Sequence, residues 1–270
     1  MKSTILERNN VSIRGTGKKT LIFAHGYGCD QTVWNSVTKE FEEDYRIILF
    51  DYVGSGLSDK NSYDASRYSN LDGYAKDVVE ICEALHVRDA IFVGHSVSSM
   101  IGVLASIERP DYFSHLIMIG PSPRYINDPP SYYGGFEEED VAGLLDMMEK
   151  NYFSWATDFS GIAMGNPDQP ELQQQLEDNF CKMDPLLAKQ FAQTTFYSDT
   201  RPELSKVPVP SLILQCTEDI IAPSSVGHYL HENTPNSTLE VMKATAHCPH
   251  MSQPEETITL IKEYLHKQQN

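Results

Sequence analysis

Residues 90–98 read AIFVGHSVS, and this stretch decides the fold. The apolar run 90–93 has the length and composition of a buried strand. The residues after Ser96 keep a helical period as far as Arg109, where Pro110 ends it. Ser96 therefore falls on a tight strand-to-helix turn. An elbow of that kind lifts a hydroxyl above the sheet edge and aims the first N–H groups of the following helix at any oxyanion formed there. A connector of Gly and Ser without chemistry has the same local composition, and Ser98 stands where the usual pattern has Gly. The flanking sequence has to separate the two.

Outward from this turn, runs rich in Ile, Val and Phe alternate with helical periods, the pattern of a mostly parallel sheet covered on both faces. The class is α/β. Strands are expected at residues 20–24, 45–50, 90–93, 116–119, 211–215 and 238–242, with an antiparallel pair near 11–14. Leu71, Tyr74, Val78, Ile81, Cys82 and Leu85 recur at helical spacing and predict a crossover helix between the second and third strands. The alternation stops at Pro121. Pro123, Pro129, Pro130, Gly134 and Gly135 then lead into about 60 residues without strand character. Helices are expected there over 136–150, 152–163, 170–182 and 185–198, before the sheet pattern resumes at Val209. An insertion of this size suits a cap over the strand ends, where open α/β sheets bind ligands. Its aromatic residues supply both cap core and pocket wall.

Two further residues complete a chemistry. Asp219 lies just past the strand at 211–215, where a loop can carry it into the crevice. Glu218 competes for the role, but the apolar Ile220, Ile221 and Ala222 turn the chain inward after Asp219 and favour it. His247 follows the last strand within ATAHCPH, residues 244–250. The order Ser, Asp, His is that of α/β-hydrolases and differs from the chymotrypsin-like and subtilisin-like orders. A zinc site built on His247, Cys248 and His250 lacks a second ligand cluster, so no metal is expected. The loop His25, Gly26, Tyr27, Gly28 after the first strand offers the Tyr27 N–H beside that of Val97 for an oxyanion hole. It lacks the G-x-G-x-x-G and Lys patterns of nucleotide loops, and no cofactor is expected.

Composition sets the outer limits. The chain has 270 residues, 40% hydrophobic and 22% charged, enough for one large α/β domain with an insertion. No apolar run approaches 18 residues, and the start lacks a secretory pattern, so a cytoplasmic protein with no membrane span is expected. A net charge of −17 without any basic run argues against nucleic acid. Five scattered cysteines, an odd count without C-x-x-C spacing, read as reduced thiols. Cys82 and Cys216 read as core, and Cys248, beside His247, is the candidate for reactivity. Residues 137–140, EEED, read as a solvated first helical turn.

Longer stretches carry a resemblance over nearly the whole chain. They are GCDQ at 28–31 with Trp34, LFDYVGSG at 49–56, LDGY at 71–74, GGFEEE at 134–139, MMEKNY at 147–152, LILQC at 212–216 and HCPHMS at 247–252. In these the chain resembles the α/β-hydrolase regulator of the bacterial sigma-B energy-stress response. It is also similar to the plant strigolactone and karrikin receptors, including GHSVS at 94–98 and Arg124-Tyr125, so Ser98 is a family variant. The expected division is a core of residues 1–121 and 203–270 with a four-helix cap at 122–202. The resemblance implies Ser96 as nucleophile, Asp219 as acid and His247 as base, with Tyr27 and Val97 amides in the oxyanion hole. It further implies a closed apolar pocket lined by Tyr27, Tyr125, Phe136, Leu144, Phe159, Thr195, Phe196 and Ile220. The expected substrate is a small apolar ester or lactone, and the implied partner is a PAS-containing PP2C-type serine/threonine phosphatase. A partnerless carboxylesterase and a receptor with negligible turnover are the alternatives.

Overall fold

A computed structural model describes residues 3–268. Seven strands, β1 (Ser12–Arg14), β2 (Lys19–Ala24), β3 (Tyr45–Leu49), β4 (Ala90–His95), β5 (Phe113–Ile119), β6 (Ser211–Thr217) and β7 (Ser237–Thr245), form one sheet in the order β1-β3-β2-β4-β5-β6-β7. Every neighbouring pair is parallel except β1 with β3. The antiparallel element near residue 11 is thus a single strand. It takes the free edge of β3, with Ile13 opposite Ile48, and among the described residues no strand precedes it.

The central strands are buried on both faces, as expected of a parallel sheet under helices. All six residues of β4 are buried, and Ile22 of β2 lies in register with Ile48 on one side and Phe92 on the other. The helices are α1 (Ile5–Arg8), α2 (Asn35–Thr38), α3 (Leu71–Ala84), α4 (Val97–Glu108), α5 (Glu138–Lys150), α6 (Tyr152–Met164), α7 (Pro170–Lys182), α8 (Pro185–Phe196), α9 (Ser224–Asn233), α10 (Pro249–Ser252) and α11 (Pro254–Lys267). The crossover helix α3 begins at Asn70, whose side chain accepts from the Asp72 N–H and caps the first turn.

Helices α5–α8 follow one another between β5 and β6, without a strand among them. Three of their ends differ from the sequence expectation: α6 runs one residue further, to Met164, where Gly165 caps it in the left-handed conformation. Helix α5 starts at Glu138 because Glu137 serves as its N-cap, exchanging hydrogen bonds with Asp140 in a capping box. Helix α8 stops at Phe196, where the Ser198 hydroxyl donates to the Thr195 carbonyl and closes the last turn. Strand β7 runs longer than expected because its edge position lets exposed residues such as Val241 stay in the ladder.

Candidate active site

Strand β4 ends at His95 and α4 begins at Val97, leaving Ser96 alone on the turn with φ 55° and ψ −124°. That backbone is unusual for a residue with a Cβ and is held from both sides. The Ser96 N–H donates to Ile119 O at 2.8 Å, and the Ser99 N–H donates to Ser96 O at 2.9 Å. The N–H of Val97, first in its helix, has no acceptor within that helix.

The structure brings Ser96, His247 and Asp219 together. Ser96 Oγ lies 2.7 Å from His247 Nε2, and His247 Nδ1 lies 2.8 Å from Asp219 Oδ2. Because Asp219 is a carboxylate acceptor, the imidazole proton sits on Nδ1, and Nε2 is free to accept from the Ser96 hydroxyl. The second Asp219 oxygen accepts the Ile221 and Ala222 amides at 2.9 and 3.0 Å. This fixes the carboxylate on a turn. Glu218, the competing acid, is exposed. Such a relay can remove a proton from the serine hydroxyl as it attacks and return it to a leaving group.

Loop 25–28 packs against the elbow. A Cβ on Gly26 would come within 2.5 Å of His95 Nδ1, and Gly28 has φ +75° with its Cβ position 1.9 Å from the Phe180 ring. Both sites therefore need glycine. The Tyr52 N–H donates to His25 Nε2, so His25 carries its proton on Nδ1 and donates to Gly26 O at 2.8 Å. Ser98 ties this loop to the helix: its hydroxyl donates to His25 O and lies 2.8 Å from Tyr52 Oη. A glycine at 98 would leave the His25 carbonyl without that donor.

A small cavity of about 30 Å³ lies over Ser96, bordered by the elbow and by α6, α7 and α8. Of the residues named from the sequence, Tyr27, Tyr125, Phe159, Thr195 and Phe196 border it. Phe136, Leu144 and Ile220 do not. Phe136 stands behind Phe196, with ring centroids 5.7 Å apart, and Leu144 packs partly buried on the core. Ile220 is 59% exposed, because the turn closed by Asp219 points it outward and presents Ile221 to the cavity instead. Leu176, Phe180 and Cys29 complete walls that the sequence did not single out. Leu176 and Phe180 are four apart and so share a face of α7, but that spacing does not tell which face meets the sheet. A wider surface groove bordered by Leu71, Ile107, Gln193 and Glu203 does not have Ser96 in its lining.

Burial dominates the electrostatics. It raises the Tyr125 hydroxyl well above the usual phenol range, so Tyr125 stays protonated, and its Oη sits 3.3 Å from Ser96 Oγ. It also raises the Cys248 thiol far above its ordinary value, and Cys29 is pushed up to about 12. Cys248 is therefore an inert thiol in the wall, contrary to the expectation of reactivity. Behind His247, His95 Nε2 donates to His247 O at 2.8 Å, and its ring lies 4.3 Å from that of His250. Burial holds His95 well below its usual 6.5 and lowers His250 to about 3.

These two depressed values predict an acid-sensitive fold. In the unfolded chain both imidazoles take up protons below about 6.5, while in the folded chain they remain neutral. Their contribution is therefore fully present above 6.5 and falls as the pH drops toward 3. Urea unfolding is expected to show a lower stability at pH 5 than at pH 7, with about 2 kcal/mol of the loss from His250. His250→Phe should remove that share, while the losses from His95 and from the likewise depressed, buried His25 remain. A stability unchanged between the two pH values would show that both rings can be charged in place.

Residues 21–260 match the Alpha/beta hydrolase family. The chain is 41% identical over 261 residues to the karrikin insensitive 2 receptor CA of Petunia hybrida, covering 96% of each. It is 38% identical over 262 residues to the strigolactone esterase D14 of Arabidopsis thaliana, covering 97% of each. A solved hydrolase from Oleispira antarctica is 44% identical and superposes with a TM-score of 0.95 over 97% of this chain and 96% of that one.

Proposed function

Since the chain belongs to the alpha/beta hydrolase family, we propose that it is a serine hydrolase that cleaves a small apolar ester or lactone. The observation that carries this reading is the unbroken relay from Ser96 through His247 to Asp219, set at the floor of a buried, mostly apolar cavity. Ser96 Oγ attacks the carbonyl carbon while His247 Nε2 takes its proton, and the amides of Val97 and Tyr27 hold the oxyanion. The tetrahedral adduct collapses as His247 protonates the leaving oxygen, which gives an acyl-Ser96 and an alcohol, tethered in the case of a lactone. Water, deprotonated by His247, then attacks the acyl carbon and releases the acid. In this reading residues 122–202 act as a cap on a core made by 1–121 and 203–270.

The reading extends to biology through the sequence stretches that resemble the sigma-B regulator. On that basis the chain works in the cytoplasm and activates a PAS-containing PP2C-type phosphatase. A receptor with negligible turnover is supported by the karrikin-receptor relative and by the tight cavity. A fluorescent alkylphosphonate separates binding from chemistry, since it reacts only with an activated serine. Labelling of the wild type and its absence in Ser96→Ala are the expected results, checked by mass spectrometry of the Ser96 peptide. A folded wild type that resists the reagent would overturn the hydrolase reading.

A further inference from the structure

Thr195 holds a hydroxyl that the fold leaves unused. The residue is 2% exposed and borders the cavity over Ser96, and its Oγ1 has no hydrogen-bond partner among the described residues. Thr38 Oγ1, in α2, is likewise without a partner but does not border the cavity over Ser96, and several other helical hydroxyls are spent on nearby carbonyls. Thr157 donates to Phe153 O, Ser160 to Thr157 O, Ser106 to Val103 O and Thr257 to Gln253 O, each using a carbonyl three or four residues back. Thr195 lies in α8 with the same option and does not take it.

The neighbouring polar groups are already committed. Tyr27 Oη donates to Ala188 O at 3.0 Å, Ser96 is bound to His247, and the Tyr125 hydroxyl is directed at Ser96. The remaining walls near Thr195 are aromatic or aliphatic, Phe159, Phe180, Phe196 and Ile221 among them. A buried hydroxyl left without a partner costs about 1–3 kcal/mol, and in a cavity meant for a ligand that cost is removed when the ligand supplies the partner. An apolar site requires no such group; valine would fill the same volume.

We propose that Thr195 Oγ1 is a specificity-determining donor that binds a second oxygen of the substrate, apart from the scissile ester. The substrate class narrows accordingly to small esters or lactones that carry a further acceptor, such as an ether, a ring oxygen or a ketone. The proposal rests on the hydrolase reading, and its test keeps the two apart.

Two pairs of esters matched in shape differ only in that acceptor. On the acyl side they are 4-nitrophenyl levulinate and 4-nitrophenyl 4-methylpentanoate, and on the alcohol side tetrahydrofurfuryl butyrate and cyclopentylmethyl butyrate. In at least one pair, the wild-type preference in kcat/KM for the acceptor-bearing ester is expected to exceed that of Thr195→Val by about 5- to 20-fold. The quantity read is the ratio within each pair, so that an effect of Thr195→Val common to both esters cancels. The dissociation constants of the same compounds for Ser96→Ala and for Ser96→Ala with Thr195→Val should show the same change without any chemistry. Unchanged ratios in both pairs, in turnover and in binding, overturn the role of Thr195. Failure to cleave any of the four esters, with the binding ratio still shifted, overturns the hydrolase reading and leaves Thr195 as a binding donor.

Discussion

Ser96→Ala is expected to lower kcat for ester hydrolysis by about 10⁴- to 10⁶-fold with no loss of fold. The substitution removes one oxygen. The backbone strain at position 96 stays as it was, because Ala meets the same φ of 55° that Ser does, and the flanking bonds from Ser96 N to Ile119 O and from Ser99 N to Ser96 O do not involve the side chain. What remains is the residual rate from amide groups that polarise a bound carbonyl toward water. Steady-state rates with a chromogenic ester, next to a thermal melt, check both halves of the statement. A variant within tenfold of the wild type would mean that Ser96 does not attack. The same protein separates the proposed signalling readings: if the chain activates a phosphatase as proposed and turnover carries the signal, Ser96→Ala should fail to activate it, whereas a receptor would signal unimpaired.

Asp219→Asn should cost about 10⁴-fold in kcat, through the proton rather than through the shape. Asn can keep one oxygen against the Ile221 and Ala222 amides, so the turn survives. The other side then presents an NH₂ to His247 Nδ1 in place of the carboxylate oxygen at 2.8 Å. The imidazole must put its proton on Nε2, where it can no longer accept from Ser96. The phosphonate reaction should slow in step with hydrolysis. Glu218→Gln, on the exposed neighbour, should change the rate by less than about twofold, since an exposed charge is well screened by solvent. Equal losses in the two variants would remove Asp219 from its assigned place.

Much of this arrangement was legible in the chain, for a physical reason. The alternation of buried strand and amphipathic helix follows from which faces must leave water, and residues 90–98 carry both periods within a few positions. The Ser, Asp, His order is likewise linear information. The walls of the cavity are not. Phe136 and Phe196 look equivalent in sequence, yet one stands behind the other. Ile220 and Ile221 differ only by one step around a turn whose hydrogen bonds come from Asp219, and that step decides which meets the cavity. Phe180 faces the loop at Gly28 because a glycine leaves room for the ring, a complementarity between residues about 150 apart that no local pattern contains. Cys248 was misread because reactivity depends on solvation, and burial, not the adjacent His247, sets the state of its thiol.

The four inserted helices are fastened to the groups they cover. The His247 N–H donates to Ala163 O of α6 at 3.1 Å, and Tyr27 Oη donates to Ala188 O of α8 at 3.0 Å. One bond holds the backbone of the base, and the other holds the residue assigned to the oxyanion hole. Lifting α6 and α8 as a unit would break both, at a cost of about 1–3 kcal/mol for each donor that stayed dry. Like the interlock on a machine guard, these two bonds would couple any joint lifting of α6 and α8 to release of the base-loop backbone and of the Tyr27 side chain.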